Sequence, residues 1–561
     1  MRKLRIMSLL LAVLMLVAVF AGCGTTGSTS SGTSAATTEA PAAESASSGD
    51  TSEEAVEPAS TEVSLPLTEE PVELTYWIAL PGPWAGVIDD ITKTSVYQEL
   101  EKRTGVVLVQ VAASGTNAVD VFNVMVAGEE YTDIINSMGM YYSGGIDKAY
   151  EDGVAVDLME YIDQMPNMNN VLTEYGVWKD VVTDSGLLCR APELDINPAV
   201  TQGAMIRSDW LEDLNLEVPE TYDELHDVLT AFKNEKNADA ALWLSFAGAW
   251  ANNGLGNGYG VNTFTHVQRG EAPFYQVDGE VKFGPMEEGF KEYTQMLHDW
   301  YAEGLVYQDF FTDEYSIKDP DPGLISNGRT GVFSCMISSV DYYAEQAEAN
   351  GGSAKAIADF KKSSDDELHG YLPVAIVDGF RGDYLTTACE NVDLAVAWLD
   401  YRYTDEGIFL MNYGIEGEAH EMVDGEPVLT DLVLNNPDGL NTMTTQNLYT
   451  AGSGGSVFDT ARLISDDLSE VKAEAYVVWD DGTYDTLYAY PSVCTMTTEE
   501  SGIYTNTYSD IQTYWTETFL AFVTGQKDMS EWDSYIDRLK EMGIQDCIDA
   551  KQTALTRYLA R

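Results

Sequence analysis

Basic residues are scarce in this 561-residue chain, which has 30 Lys and Arg against 92 Asp and Glu and a formal net charge of −62. A surface of that sign repels the phosphate backbone of nucleic acids. Nucleic acids and other polyanions are therefore poor partners. The charge alone does not identify a ligand.

Histidine is also rare, and the sequence lacks the common catalytic motifs. It contains no P-loop, no HExxH and no GxSxG pattern. We therefore predict neither a metal ion nor a cofactor. The many carboxylates still leave open an acid pair of the glycosidase type. The five histidines show no spacing typical of metal ligands: His226, His266, His298, His369 and His420.

Cysteine is infrequent and scattered, with six residues and no CxxC pair. Setting Cys23 aside leaves five, and an odd number argues against a disulfide framework while leaving room for one or two bridges. These five are Cys189, Cys335, Cys389, Cys494 and Cys547.

The N-terminus has the form of a secretory signal. Three basic residues lie in the first five positions, an apolar run follows over 6–20, and a small pair precedes Cys23. The run is short for a membrane span. The position of Cys23 resembles the lipobox of bacterial lipoproteins, which implies cleavage after residue 22 and a lipid, such as palmitate, on the Cys23 thiol.

Residues 23–70 are interpreted as the lipidated cysteine and a disordered tether. From 24 to 66 the sequence is rich in Ser, Thr, Ala, Gly, Glu and Pro and has almost no large apolar residue. Such a segment buries too little surface to offset its ordering entropy. The remaining stretch of roughly 490 residues is too long for one core and predicts two lobes.

The start of the folded part alternates strands and helices. We predict strands at 73–78, 106–112 and 133–136, separated by helices at 95–104 and 118–126. This alternation indicates a parallel sheet covered on both faces. Ligands in such sheets lie beyond the carboxyl ends of the strands, which indicates the loops 79–86 and 137–145.

Amphipathic helices dominate the rest. A capping box of Thr221 and Glu224 starts a helix that extends to about residue 233. Another helix, over 287–303, places its aromatic side chains on one face, which is typical of core packing. Helices around 394–401 and in the last 50 or so residues carry similar stripes.

Several segments together resemble a known family. RSDWLEDLNLEVPETYDELHDVLTAFK (207–233), YTQMLHDWYAEGLVYQDF (293–310) and SNGRTGVF (326–333) resemble the family 1 extracellular solute-binding proteins of ABC importers. Three further segments resemble more narrowly one branch of this family, the lipoproteins linked to oligosaccharide and aldouronate uptake. They are WLDYRYTDEG (398–407), NYGIEG (412–417) and FVTGQKDMSEWDSYIDRLKEMGI (522–544).

The resemblance implies an α/β fold, a two-lobed clamp of the periplasmic-binding-protein type (type II). Each lobe would contain a mainly parallel sheet flanked by helices, with the hinge crossed near Pro198, near 378–386 and near Gly417. The first lobe is then 71–197 plus 379–417. The second is 198–378 plus 418–561.

No calcium site is predicted, although many relatives have an acidic loop after the helix that matches 222–233. The matching segment here, 234–241, lacks glycines and has Lys236 where a carboxylate is required. The acidic segment 319–323 contains two prolines and is interpreted as a plain turn.

Sugar sites stack aromatic rings on the sugar and bind its hydroxyls with short polar side chains. Loop aromatics and nearby polar residues are therefore the candidates, each with a packing or surface role as the alternative. Those in the strand-end loops and the glycine-rich segment 249–260 are Trp84, Tyr141, Tyr142, Trp250, Asn252 and Tyr259. Those at the predicted hinge and in later segments are Arg207, Tyr413, Glu416 and Trp479.

The predicted function is capture of a carbohydrate, in particular an oligosaccharide, and its delivery to an ABC transporter permease by a monomeric lipoprotein on the outer face of a bacterial cell membrane. It is not predicted to be an enzyme. Two alternatives stay open: a lipid-tethered carbohydrate-active hydrolase or lyase, and a clamp for peptides or other small solutes. The acidic surface disfavours uronates, whereas the branch resemblance favours them.

Overall fold

The computed structural model describes residues 63–80, 87–114, 118–244, 255–263, 273–311, 321–371, 374–440, 442–452, 454–465, 469–480 and 487–561. The predicted signal peptide, Cys23 and most of the predicted tether lie outside these ranges. No helix within them is long and apolar enough to span a membrane.

Fourteen strands occur in the described ranges, and they are numbered here in chain order. They are β1 Val72–Leu80, β2 Val106–Ser114, β3 Ile134–Asn136, β4 Ala191–Asp195, β5 Gln202–Arg207, β6 Ala240–Leu242, β7 Phe274–Val277, β8 Glu280–Phe283, β9 Thr330–Met336, β10 Ala354–Ile357, β11 Val377–Leu385, β12 His420–Val423, β13 Glu426–Leu429 and β14 Val457–Phe458.

The α-helices surround these strands. They span Ser95–Thr104, Ala118–Gly128, Gly145–Glu151, Pro166–Glu174, Trp178–Val181, Ser208–Leu214, Tyr222–Lys236, Glu288–Ala302, Pro322–Ser326, Val340–Glu348, Val392–Tyr401, Asp405–Tyr413, Asp431–Leu434, Thr442–Tyr449, Thr460–Ser465, Glu470–Trp479, Thr498–Val523, Trp532–Glu541 and Ile544–Ala560.

The first sheet has the strand order β14-β4-β11-β3-β1-β2. Strand β1 pairs in parallel with both β2 and β3, and β14 pairs in parallel with β4. Only β11 is reversed, because it pairs antiparallel with β3 and with β4.

The second sheet has the order β10-β5-β9-β6. Strand β5 is antiparallel to both of its neighbours, whereas β9 and β6 are parallel. One described strand is thus reversed in this sheet too. Two short hairpins, β7–β8 and β12–β13, stand apart from both sheets. Both turn on an Asp-Gly pair with positive φ angles, which suits a tight two-residue turn.

The two reversed strands have the same physical origin. Strand β11 follows β10 of the second sheet, and β5 follows β4 of the first. When the chain crosses from one lobe to the other, it enters the new sheet at the edge where the carboxyl ends of the other strands lie. Its first strand there therefore runs antiparallel to them. The expected two-lobed α/β clamp is therefore confirmed, with sheets that are mainly parallel in direction and contain one reversed strand each.

Each sheet has its own apolar core. The first core joins Leu74 and Ile134 to Trp398 of the helix Val392–Tyr401. The largest core of the second lobe includes Phe290, with Trp515 packed against it at a ring-centroid distance of 6.3 Å. The aromatic stripe predicted for the helix near 287–303 is confirmed as core packing.

The capping box predicted at Thr221 is confirmed. The amide of Glu224 donates to the Thr221 hydroxyl at 3.3 Å, and the amide of Thr221 donates to the Glu224 carboxylate at 3.1 Å. The helix ends at Lys236, where Asn237 adopts a left-handed conformation with φ 52°.

The segment around β14 differs from the predicted lobe boundaries. Strand β14, which was assigned to the second lobe within 418–561, pairs with β4 of the first sheet. A strand of two residues lacks the periodicity from which a sheet assignment could be made. The predicted tether also shortens, because Val63 and Leu67 pack against the first core. The other boundaries stay predictions.

The C-terminal helix joins the second core to the first lobe. Arg557 donates to Asp184 at 2.5 Å and to Glu500 at 2.6 Å, and the Tyr558 hydroxyl donates to Asp180 at 2.8 Å. None of the five described cysteines forms a disulfide.

Candidate functional site

A cleft of about 1470 Å³ is lined by residues of both sheets and of the helices and loops around them. Its walls include the ends of β1, β3 and β4 from the first sheet, and the start of β5 and the end of β9 from the second. The carboxyl ends of parallel strands thus converge on this space from both lobes, which is where ligands of open α/β sheets bind.

A polar network forms the floor of the cleft in the first lobe. The Asp383 carboxylate accepts from the Tyr76 hydroxyl at 2.9 Å and from the Asn136 amide at 3.0 Å. It also pairs with Arg402, and both charged side chains are almost fully buried. A buried pair supported by further hydrogen bonds fixes the geometry around it. Tyr76 and Asn136, which reach the cleft, are therefore held in place.

Glu193 is a carboxyl of the floor whose pKa is shifted by its surroundings. It lines the cleft but is only 7% exposed. Burial raises its pKa from 4.5 to about 7, and nearby Asp383 adds to this, while Arg381 and the Asn136 amide oppose it. The Arg381 guanidinium is 3.9 Å from the Glu193 carboxylate. Glu193 can thus donate or accept a hydrogen bond near neutral pH.

The second lobe contributes a wall with a second ion pair. The Lys472 ammonium is 3.0 Å from the Asp341 carboxylate. Gln202, at the start of β5, is 5% exposed, and its Oε1 is buried without a hydrogen-bond partner in the described structure. An unsatisfied buried acceptor at a cleft is suited to a ligand hydroxyl.

The helix Thr442–Tyr449 closes another side of the cleft. Its Gln446 is 8% exposed, and its Nε2 is buried without a partner within the described part of the chain. Gln446 and Gln202 therefore both line this cleft, and each has one buried amide atom without a partner in the described part of the chain.

Aromatic rings also face the cleft. Tyr342 lines it from the helix Val340–Glu348 and is 47% exposed. Phe380 and Tyr504 line it with partly exposed rings. Exposed rings beside amides and carboxylates match what the flat faces and hydroxyl edges of sugars require.

Two of the residues predicted from sequence lie along this cleft. Tyr141 and Tyr142 are in the loop after β3 and contribute to its lining. The ring of Tyr141 packs edge-on against Trp77 at 5.1 Å, and the Tyr142 hydroxyl donates to Asp152 at 2.8 Å. Burial raises the pKa of both phenols, so they stay neutral.

Arg207 and Tyr259 lie elsewhere. Arg207 ends β5, about 17 Å from its first residue at the usual rise of a strand. It is buried, pairs with Asp209 at 2.7 Å and stacks on Trp210 at 4.7 Å. Tyr259 packs against Tyr222 at 4.7 Å in the second core. Neither residue lines the cleft.

Tyr413, Glu416 and Trp479 do not line it either. The Arg462 guanidinium lies over the Tyr413 ring at 4.5 Å, and Glu416 is on the surface. Trp479 is buried behind β5 and donates from its indole to the carbonyl of Ala204 at 3.2 Å.

The predicted residues Trp84, Trp250 and Asn252 lie outside the described residues. The predicted absence of calcium at 234–241 stays a prediction, and in the described ranges no group of His, Cys, Asp or Glu is arranged to hold a metal ion.

The polar residues of the floor were missed by sequence reasoning. Glu193 is one of 92 acidic residues, so its type gives no signal. Asn136 has a clearer sequence signal, because it is the last residue of a short apolar strand. Ligands of parallel sheets bind beyond the carboxyl ends of the strands. Gln202 and Gln446 lie in segments without a distinctive pattern.

The comparisons with known proteins agree with this architecture. No family model matches the chain. A curated relative is the fructooligosaccharide ABC transporter substrate-binding protein FusA of Streptococcus pneumoniae, 23% identical over 505 residues, which cover 84% of this chain and 88% of FusA. Another is Lipoprotein LipO of Bacillus subtilis, 26% identical over 360 residues, or 61% of this chain and 67% of LipO.

Among solved structures, the alginate-binding protein AlgQ2 without calcium ion superposes with a TM-score of 0.69. It is 22% identical, and the match covers 87% of this chain and 99% of AlgQ2. The chain therefore has the fold of that protein, and the predicted resemblance to solute-binding proteins of ABC transporters is confirmed.

Proposed function

We propose that this protein is an extracytoplasmic solute-binding protein that captures an oligosaccharide between its two lobes and delivers it to an ABC transporter permease. The observation that carries the proposal is the cleft between the two sheets. Its volume of about 1470 Å³ suits a ligand of several sugar units. Its lining combines exposed rings with amides and carboxylates, which is the chemistry of a sugar site.

The similarity to FusA supports the transport role. FusA is named for fructooligosaccharides and for an ABC transporter, and it matches this chain over most of both lengths. We propose an oligosaccharide ligand and an ABC transporter partner for this chain as well. Tyr141 and Tyr142 are proposed ligand contacts, together with Gln202, Gln446 and Tyr342.

The proposal includes a lipid anchor at Cys23. Support comes from the signal-like N-terminus and from the similarity to Lipoprotein LipO. Two acyl chains anchor a protein stably, whereas one does not. A tether between Cys23 and the first lobe would keep a monomeric receptor close to its permease at high effective concentration.

Thermal-shift and calorimetric titrations with neutral and acidic oligosaccharides test the binding function. We expect saturable stabilisation by at least one oligosaccharide, because a ligand that binds only the folded state stabilises it. Chromatography of the recovered ligand should show it intact. Released product would favour a carbohydrate-active hydrolase or lyase instead, and stabilisation by peptides alone would favour a peptide clamp.

Tyr342→Ala tests the location of the site. The ring is 47% exposed and lines the cleft, so its loss should weaken saccharide binding by about 1 kcal/mol with little effect on folding. Tyr150→Ala is the matched control, because that tyrosine is 39% exposed and does not line the cleft. Equal affinities for the two variants would place the ligand elsewhere.

A further inference from the structure

The charged side chains of the cleft are strongly unbalanced. Among the described lining residues there are two cations, Arg381 and Lys472. The same lining contains five carboxyl groups: Glu193, Asp195, Asp341, Glu345 and Asp378. Any anion that enters this space meets an excess of negative charge at close range.

Both cations already have carboxylate partners. The Arg381 guanidinium is 3.9 Å from Glu193, and the Lys472 ammonium is 3.0 Å from Asp341. Lys472 is 7% exposed, so its charge is largely enclosed. A ligand carboxylate needs charge-assisted hydrogen bonds from Arg or Lys to compensate its desolvation. Here a ligand carboxylate would have to compete with Asp341 for Lys472 and, above about pH 7 where Glu193 is ionised, with Glu193 for Arg381.

The remaining polar groups suit uncharged hydroxyls. Gln202 and Gln446 line the cleft, and an uncharged amide side chain can both donate hydrogen bonds to hydroxyls and accept them. The carboxylates of the lining accept hydrogen bonds from hydroxyls without needing a cation. A neutral sugar therefore finds both donors and acceptors in the cleft.

We infer that the cleft selects neutral oligosaccharides and rejects oligosaccharides that carry uronate carboxylates. The inference rests on the proposed function and adds the ligand class to it. The pairs Glu193–Arg381 and Asp341–Lys472 determine this specificity, because each occupies a cation that a uronate would need.

Calorimetry on the purified protein tests the ligand class with two sets of tetrasaccharides. The neutral set contains those of glucose, xylose, mannose, galactose and fructose, and the acidic set those of galacturonate, mannuronate and guluronate. We expect a member of the neutral set to bind at least about 100-fold more tightly than every acidic one, since like charges at an interface cost several kcal/mol. Tetragalacturonate and its methyl ester form a pair in which only the charge differs, and the ester should bind more tightly.

A uronate that binds as tightly as the best neutral sugar would overturn the inference while leaving oligosaccharide capture intact. If no member of either set binds, the proposed function fails and the inference with it. Titrations of the wild-type protein are sufficient to distinguish these two outcomes, and no variant is needed.

A double variant, Glu193→Gln with Asp341→Asn, tests the two pairs. At a pH above about 7, where Glu193 of the wild type is ionised, the double variant frees Arg381 and Lys472 while preserving side-chain size, so uronate affinity should rise about tenfold. Asp227→Asn removes an exposed charge outside the cleft and is the control. An unchanged uronate affinity in the double variant would show that the pairs do not set the specificity.

Discussion

Replacing Glu193 with glutamine should change how the stability of the protein depends on pH. The folded-state pKa of Glu193 is about 7, against an ordinary value of 4.5, because the carboxyl is buried beside Asp383. The Asn136 amide, 3.3 Å away, and Arg381 offset only part of this cost. Glutamine keeps the size and the hydrogen-bonding oxygen but cannot ionise.

The sign follows from proton binding. Between pH 4.5 and about 7 the unfolded chain releases the Glu193 proton while the folded protein keeps it. Stability from this group is fully present below pH 4.5 and is lost as the pH rises through 7. A pKa difference of about 2.5 corresponds to about 3 kcal/mol at ~1.4 kcal/mol per pH unit. The free energy of unfolding of Glu193→Gln, measured relative to that of the wild type, should therefore increase by about 3 kcal/mol from acid to mildly alkaline pH.

Urea unfolding of both proteins across this pH range measures the effect. Glu390→Gln is the control, because it changes an exposed carboxyl of the same lobe, and its difference from the wild type should stay nearly constant. A Glu193→Gln difference that varies by less than about 1 kcal/mol would refute the reasoning, because the carboxyl would then titrate like one in water.

Three further substitutions test other parts of the molecule. Asp184→Ala should lower the free energy of unfolding by about 2 kcal/mol in urea titrations, because Arg557 loses an enclosed partner; an unchanged midpoint would contradict this. Trp479→Ala should cost about 3 to 5 kcal/mol in the same assay and leave the saccharide affinity of the folded protein unchanged, since the ring packs behind β5; weaker binding would instead place it at the site. Cys23→Ser should abolish the incorporation of labelled palmitate into the protein, and a variant that is still labelled would argue against lipidation at Cys23.

Local signals in the sequence predicted the elements that depend on local physics. The capping box at Thr221 needs only two side chains three positions apart, and it marks the start of its helix correctly. The stripe containing Phe290 has helical period, so its burial follows from the sequence alone. Alternation of strands and helices likewise predicted the parallel part of the first sheet.

The floor of the cleft depends on contacts between distant parts of the chain. Asp383 reaches Tyr76 across 307 positions, and Asn136 reaches the same carboxylate across 247. No periodicity encodes such pairings, so among abundant carboxylates Glu193 has no distinguishing mark. Strand β14 was assigned to the wrong lobe for a related reason. It has only two residues, and its pairing with β4 is determined by the tertiary fold rather than by a local pattern.

The strongly acidic surface and the proposed neutral ligand are compatible for a physical reason. A field of one sign speeds or slows the encounter of charged ligands but exerts no net force on an uncharged one. A formal charge of −62 therefore imposes no penalty on capturing a neutral sugar, while it keeps copies of the protein apart and away from anionic lipids. A uronate would be repelled twice, first by the surface and then by the cleft. Its association rate should thus rise with salt, whereas that of a neutral sugar should not change.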